Sequence, residues 1–266
     1  MTEWDGATAF ITGGAQGIGL GIARALARKG VKLALADIDT EALARAESEL
    51  SATTATAAYE LDVRDRDAFA AVADKAESEL GPVTLLFNNA GIAPSVAMDT
   101  VRYDQWDLAI GINLNGVFNG IKTFVPRMME RGLAGHVVNT ASGAGLVAGP
   151  GFLYTTSKFA VVGLSESLRT ELAPHKIEVA VLCPGPVNTQ IINNTIGLTN
   201  SRRAAPEETV AFLESGVSID SVGEMVIAGM EARQLWIHTD GMMRPYVEMR
   251  MQALLDSIPE TESPQD

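Results

Sequence analysis

A tyrosine and a lysine stand four residues apart in "YTTSK", Tyr154 to Lys158, inside a stretch whose pattern predicts a helix. At that spacing both side chains share one helical face. A free phenol, with a pKa of about 10, is a poor base near neutral pH. An ammonium about 4 Å away, in an effective dielectric of ~20, favours phenolate by roughly 4 kcal/mol, or about three pKa units. The phenol would then approach the range where general acid–base catalysis is efficient. The same spacing describes an ordinary solvated surface pair, so the rest of the chain has to decide between the two.

A second run, "TGGAQGIG" from Thr12 to Gly19, follows an apolar segment and opens a helical pattern. Glycines at 13, 17 and 19 permit a tight turn and close backbone approach to a pyrophosphate at a helix N-terminus. The strand–turn–helix context is what a dinucleotide site requires. The next apolar run ends in Asp37, eighteen residues after Gly19. A carboxylate there accepts both adenosine ribose hydroxyls of NAD but opposes a 2′-phosphate. Like charges about 4 Å apart near a surface cost roughly 4 kcal/mol, on the order of a thousandfold in affinity. Neither Gln16 nor Ile38 offers a cation, so NAD is expected over NADP. Asp39 suits the competing task of capping the following helix.

The elements that must position these groups alternate along the chain. Strands are predicted at 7–12, 32–37, 57–62, 83–88, 135–141, 177–183 and 234–239. Helices are predicted at 17–29, 40–50, 65–79, 104–131, 152–174 and 207–232, with an amphipathic one at 244–256. The strands lack clean period-two alternation, as parallel strands buried on both faces do. This order predicts a single-domain α/β Rossmann fold over residues 1–258: a doubly wound parallel sheet of about seven strands with helices on both faces. The polar segment 259–266 is expected to fray.

The chain of 266 residues suits one large domain. A net charge of −13 argues against nucleic acid or an anionic membrane as the main partner. Cys183 stands alone and His136, His175 and His238 are scattered, so neither an intrachain disulfide nor a metal site is expected. The start "MTEWDGATAF" lacks a basic region before an apolar run, and no apolar stretch is long enough to span a bilayer. A cytoplasmic location is expected.

Seven short motifs together resemble the short-chain dehydrogenase/reductase family: "TGGAQGIG", "LDV" (61–63), "NNAG" (88–91), "GINLNGVF" (111–118), "NTASG" (139–143), "YTTSK" and "PGPVNT" (184–189). They cover roughly residues 6–190 in the family's order and spacing. The resemblance implies that Tyr154 exchanges a proton with the substrate oxygen and that Lys158 lowers its pKa and binds the nicotinamide ribose. It implies that Ser142 holds the substrate oxygen; the family's first serine of this pair is replaced by Ala141. Asn113, rather than its neighbour Asn115, would hold a water that links Lys158 to solvent. The cofactor set it implies is Gly13, Gln16, Gly17, Ile18, Gly19, Asp37, Ile38, Asp62, Val63, Asn89, Ala90, Gly91, Tyr154, Lys158, Pro184, Gly185, Val187 and Thr189. In that set Asp62 would bond the adenine amino group, and the Val187 backbone and Thr189 hydroxyl would hold the carboxamide.

The implied reaction is reversible hydride transfer between nicotinamide and a secondary alcohol or ketone, with no metal. Substrate contacts are expected from segments 144–152, 190–205 and 240–256, with Leu146, Phe152, Ile191 and Ile192 beside Ser142 and Tyr154. These side chains favour an apolar or aromatic small molecule. The segment 111–138 resembles the branch of the family that oxidises benzylic alcohols of lignin-type aryl ethers. The helices at 104–131 and 152–174 resemble the family's dimer face, so a homodimer or homotetramer is expected. "IHTDGMMRPYVEMRMQALL" departs from the family's common C-terminus, and Met242, Met243, Met249 and Met251 suit either a lid or core filling.

Overall fold

In a computed structural model, residues 4–199 and 207–259 are described, with side chains except at 197–199. Seven parallel strands form one sheet: β1 (Thr8–Thr12), β2 (Lys32–Asp37), β3 (Thr56–Glu60), β4 (Val83–Asn88), β5 (Gly135–Thr140), β6 (Ile177–Cys183) and β7 (Trp236–His238). Their order is β3-β2-β1-β4-β5-β6-β7. The order reverses between β1 and β4, and the crevice outside the carboxyl ends of strands at such a point is where open α/β sheets bind ligands.

Alternating side chains along β1 feed the two cores. Phe10 faces α3 (Arg66–Leu80) and α5 (Gly116–Arg131), where its ring meets those of Phe69 and Phe124 at centroid distances of 5.8 and 4.7 Å. Ala9 and Ile11 face the opposite cluster, with Ile22 and Leu26 of α1 (Gly17–Ala27) and Val222 and Val226 of α9 (Ile219–Glu231). A β-carbon at Gly21 would overlap the Ile219 carbonyl, and one at Gly223 would overlap that of Gly21. Glycine at both positions therefore lets α1 and α9 pack backbone to backbone. Ion pairs Arg24–Asp220, Arg28–Glu224 and Lys29–Glu231 run along the seam.

Several predicted bounds shift for identifiable reasons. The single helix expected at 104–131 is α4 (Tyr103–Ile110), a π-helical turn at Gly111–Asn115 and α5. One extra residue in that turn re-aims the side chains, as π-bulges at functional sites do. The helix expected at 207–232 breaks into α8 (Glu207–Glu214) and α9. Between them Val217 forms a parallel bridge to Val187, and Ser218 caps α9 by accepting from the Ser221 amide. β3 ends at Glu60, so Asp62 and Val63 lie in the following turn, where Asp65 caps α3. Asp39 caps α2 (Thr40–Leu50) through the Ala42 amide, as its position suggested. Segment 190–205 carries an unforeseen helix, α7 (Ile191–Thr199); residues 200–205 and most of the polar tail lie outside the described residues.

The helix expected at 244–256 is α10 (Arg244–Ser257), but it is not amphipathic in its packing. None of its residues is buried, and Tyr246, Met249, Met251, Leu254 and Leu255 all face outward. Its apolar residues are spread around the helix rather than gathered on one stripe, so no single face can dock. Met243, just before it, lies against Gly143.

Candidate active site

A cleft of about 400 Å³ lies across the carboxyl ends of the strands. One wall is the glycine-rich turn. Gly13 has φ +63°, and a β-carbon there would sit 2.9 Å from the Ala90 Cα, so only glycine allows this approach. Gly17, with φ +55°, faces Thr189 across the cleft. Gly19 lies behind the wall, where a β-carbon would overlap the Gly13 carbonyl; it permits packing and contacts no ligand space.

Asp37 ends β2 inside this wall and is 9% exposed. Its two oxygens accept from the Ala15 and Asp39 amides at 3.2 and 3.1 Å. Burial pushes its carboxyl above the usual range, and backbone N–H groups of Asp39, Ala15 and Ile38 partly oppose this. Ile38, 48% exposed, and Asp39 continue the rim.

The floor is held by hydrogen bonds from side chain to backbone. Thr12 Oγ1 accepts from the Asn89 and Ala90 amides, while Asn89 Nδ2 donates to the Thr12 and Gly13 carbonyls. Thr140 Oγ1 donates to Asn89 Oδ1, so the ends of β1, β4 and β5 are tied together. Deeper, Asn88 donates to Asn139, which donates to Ser165 of α6 (Phe152–Leu172). This buried line fixes the helix that carries Tyr154 and Lys158.

Tyr154 and Lys158 both line the cleft. Lys158 is 3% exposed; its Nζ donates to the Thr140 carbonyl at 2.9 Å and lies 5.5 Å from the Tyr154 ring centroid. Ser142 lies two residues past β5, caps a short 3₁₀ turn through the Ala144 amide, and stands close enough to Tyr154 for its hydroxyl to favour the phenolate. The electrostatics correct the expectation from spacing. Burial pushes the Tyr154 phenol up, the Ser142 hydroxyl opposes this by a smaller amount, and Lys158 does not figure among the causes. Lys158 is itself lowered to about 8 by burial, against a smaller upward influence of Cys183. The desolvation that strengthens a charge–charge interaction also penalises both charged forms, and here the penalty wins. Tyr154 keeps a partly accessible edge on the cleft, so solvent there softens its shift without reversing it.

Asn113 is fully buried in the π turn. Its Oδ1 accepts from the Ile92 amide, and its Nδ2 donates to the Ile92 carbonyl and to Ser157 Oγ. Both Nδ2 hydrogens and one Oδ1 lone pair are thus committed to protein partners. Asn115 is exposed.

Of the other residues singled out by sequence, Gln16, Ile18, Asp62, Val63, Ala90, Gly91, Pro184, Thr189 and Ile191 line the cleft. Gly185, Val187, Leu146, Phe152 and Ile192 do not. Gly185 packs on Asp240, and its amide donates to Thr239. The Val187 side chain is buried, while its bridge to Val217 engages the Pro186 carbonyl and Asn188 amide instead of its own amide. Leu146 packs against the core.

Arg64, Ile92 and Ile112, not singled out from the sequence, also line the cleft, as do Gln190 and Asn194 of the segment 190–205 expected to contact substrate. Arg64 forms an ion pair with Asp62, Nη2 to Oδ2 at 2.6 Å, and this bond is the main cause that holds the Asp62 carboxyl below its usual range. For Arg64 the signal was "DVR", an arginine two residues after the acid. Among the described residues no cluster of three or more His, Cys, Asp or Glu could hold a metal ion, and no helix is long and apolar enough to cross a membrane.

A cleft at the sheet's reversal point, lined by the glycine-rich turn and by Tyr154 and Lys158, is the candidate active site. The family model for short chain dehydrogenase matches residues 7–197. This chain belongs to the short-chain dehydrogenase/reductase family, and it is an oxidoreductase of that family. It is 35% identical to the C alpha-dehydrogenase of Sphingobium sp. (strain NBRC 103272 / SYK-6), covering 99% of this chain and 90% of that protein. It is 34% identical to 3beta-hydroxysteroid dehydrogenase 2 of Eggerthella lenta, over 82% of this chain and 90% of that one. A short-chain dehydrogenase/reductase from Burkholderia phymatum, solved in complex with NAD, superposes with a TM-score of 0.89 at 30% identity, each chain covered fully.

Proposed function

We propose that the chain is an NAD-dependent dehydrogenase of apolar secondary alcohols, working reversibly as a ketone reductase. The observation that carries this is that Tyr154 and Lys158 line the same cleft as Asp37, with Ser142 beside Tyr154 just behind the lining. The residues fit a dinucleotide: the Gly13–Ile18 turn would take the pyrophosphate and Asp37 the adenosine ribose. Thr189 and the Val187 main chain would hold the carboxamide. Nicotinamide, when bound, supplies the hydride acceptor.

Ser142 orients the substrate oxygen, and Tyr154 removes its proton as the carbon–hydrogen bond breaks. Lys158, one helical turn away, donates to the nicotinamide ribose and favours the phenolate once the site is filled. The Asn113 side chain holds both backbone groups of Ile92, and a water relay from Lys158 would run past the π turn that carries it. Asp62, committed to Arg64, offers the adenine its remaining lone pairs, with Arg64 beside it. Ile92 and Ile191 present apolar surface to the cleft, and Gln190 and Asn194 offer polar contacts. Relatives named for a C alpha centre and for a 3beta-hydroxysteroid support a bulky, mostly apolar alcohol.

A Tyr154→Phe enzyme tests the assignment. Its turnover of benzylic and alicyclic alcohols with NAD is expected to fall at least a hundredfold, while NADH affinity stays within about threefold. Unchanged turnover removes Tyr154 from the chemistry. We also take the active form to be at least a dimer through the face carrying Tyr103 and Phe118, 89% and 50% exposed. Light scattering on the purified chain decides this.

A further inference from the structure

A side chain of helix α7 reaches across the cleft. Thr195 is 5% exposed, and its hydroxyl donates to the Ile191 carbonyl one turn back at 2.7 Å. That bond uses the hydroxyl hydrogen and turns an oxygen lone pair outward. The lone pair accepts from the Ala93 amide at 2.9 Å. Ala93 belongs to the loop after β4 on the opposite wall, and the next residue, Pro94, has no amide to offer instead. Asn193 and Asn194 bond back to Gln190 within their own segment.

The other end of this contact reaches the chemistry. Ile92, adjacent to Ala93, has both backbone groups gripped by Asn113, which also binds Ser157 in the helix carrying Tyr154 and Lys158. A clamp therefore runs from α7 through residues 93 and 92 to the π turn and the catalytic helix. Ile191 and Asn194, on the same helix as Thr195, line the cleft.

We propose that Thr195 is a positioning residue: its hydroxyl latches α7 to Ala93, closing the cleft over the nicotinamide end and setting how fast dinucleotide leaves. The inference rests on the dinucleotide assignment of this cleft. Release of product requires the Ala93–Thr195 bond to break, because α7 and the 92–93 loop form opposite lips of the same opening.

Thr195→Val keeps the β-branch and removes the acceptor, and Thr195→Ser restores it. In stopped-flow measurements, NADH is expected to dissociate from T195V about 5- to 20-fold faster than from the unaltered enzyme, the range for losing a buried hydrogen bond. T195S should lie within about twofold of the unaltered enzyme. The KM for NAD should rise by a similar factor without loss of kcat, a split that general destabilisation would not produce. Equal release rates in T195V and the unaltered chain overturn the latch while leaving the dinucleotide assignment standing. Failure of the unaltered chain to bind NADH or NADPH overturns both. Should T195V not fold, amide hydrogen exchange of the unaltered chain decides. Exchange of Ala93 together with residues 194–196 supports the latch, and exchange at the rate of an exposed loop amide refutes it.

Discussion

Removing the charge of Asp37 without changing its shape tests the proposed preference for NAD. In Asp37→Asn one carbonyl oxygen can still accept from the Ala15 or Asp39 amide, and the other amide loses its acceptor. A 2′-phosphate oxygen placed about 4 Å from the carboxylate costs roughly 4 kcal/mol at an effective dielectric of ~20, on the order of a thousandfold. Ile38 and Gln16 on the rim carry no compensating cation, and Arg64 is engaged by Asp62. The lost charge-assisted bonds to the ribose weaken NADH by about 1.5–3 kcal/mol, roughly ten- to a hundredfold. The two effects act in opposite directions on the two cofactors. The ratio of kcat/KM for NADP over NAD is therefore expected to rise by three orders of magnitude or more. Fluorescence titration with NADH and NADPH, followed by steady-state rates, measures it. A ratio that moves less than tenfold refutes the argument, as does an unaltered enzyme that binds NADPH as tightly as NADH.

Three further outcomes follow from the buried charges. Burial raises the Asp37 carboxyl above its unfolded value, so it destabilises the fold above its folded pKa, and the cost fades as pH falls below the unfolded one; relative to D37N, urea-measured stability of the unaltered chain should improve on acidification through the carboxylate range. Lys158, lowered to about 8, destabilises the fold below that pH, and stability returns as pH rises through the window from about 8 to 10.5. The gain is on the order of 3 kcal/mol, and the slope should vanish in Lys158→Met. At Glu77 burial alone would raise the carboxyl, but Arg131 and Arg127 outweigh it and hold it at about 2. Its stabilisation is present above the unfolded carboxylate pKa and is lost as pH falls toward 2, so Glu77→Gln should cost about 2 kcal/mol at pH 7 and little near pH 2 in urea titrations.

The motifs marked the cleft because their residue types carry local requirements. Gly13 and Gly17 stand where positive φ is needed, Asp39 where a helix needs a cap, and Asp37 at the end of a strand; each is visible in neighbouring residues alone. Gly19 and Gly185 read as ligand contacts because a glycine's neighbour across space is not written beside it. Their partners, the Gly13 carbonyl and Asp240, sit on other elements.

From its sequence alone this protein is legible as a doubly wound α/β oxidoreductase with a Tyr–Lys pair beside a dinucleotide turn. Strand and helix periods and glycine-rich turns depend on residues a few positions apart, so they need no knowledge of the fold. Only the tertiary structure decided the charge states and the clamp. The raised Tyr154, the lowered Lys158, the Asp62–Arg64 pair and the Thr195–Ala93 bond arise from burial and from groups up to 102 residues apart. Desolvation depends on how much protein surrounds a group, and that quantity exists only after the chain has packed.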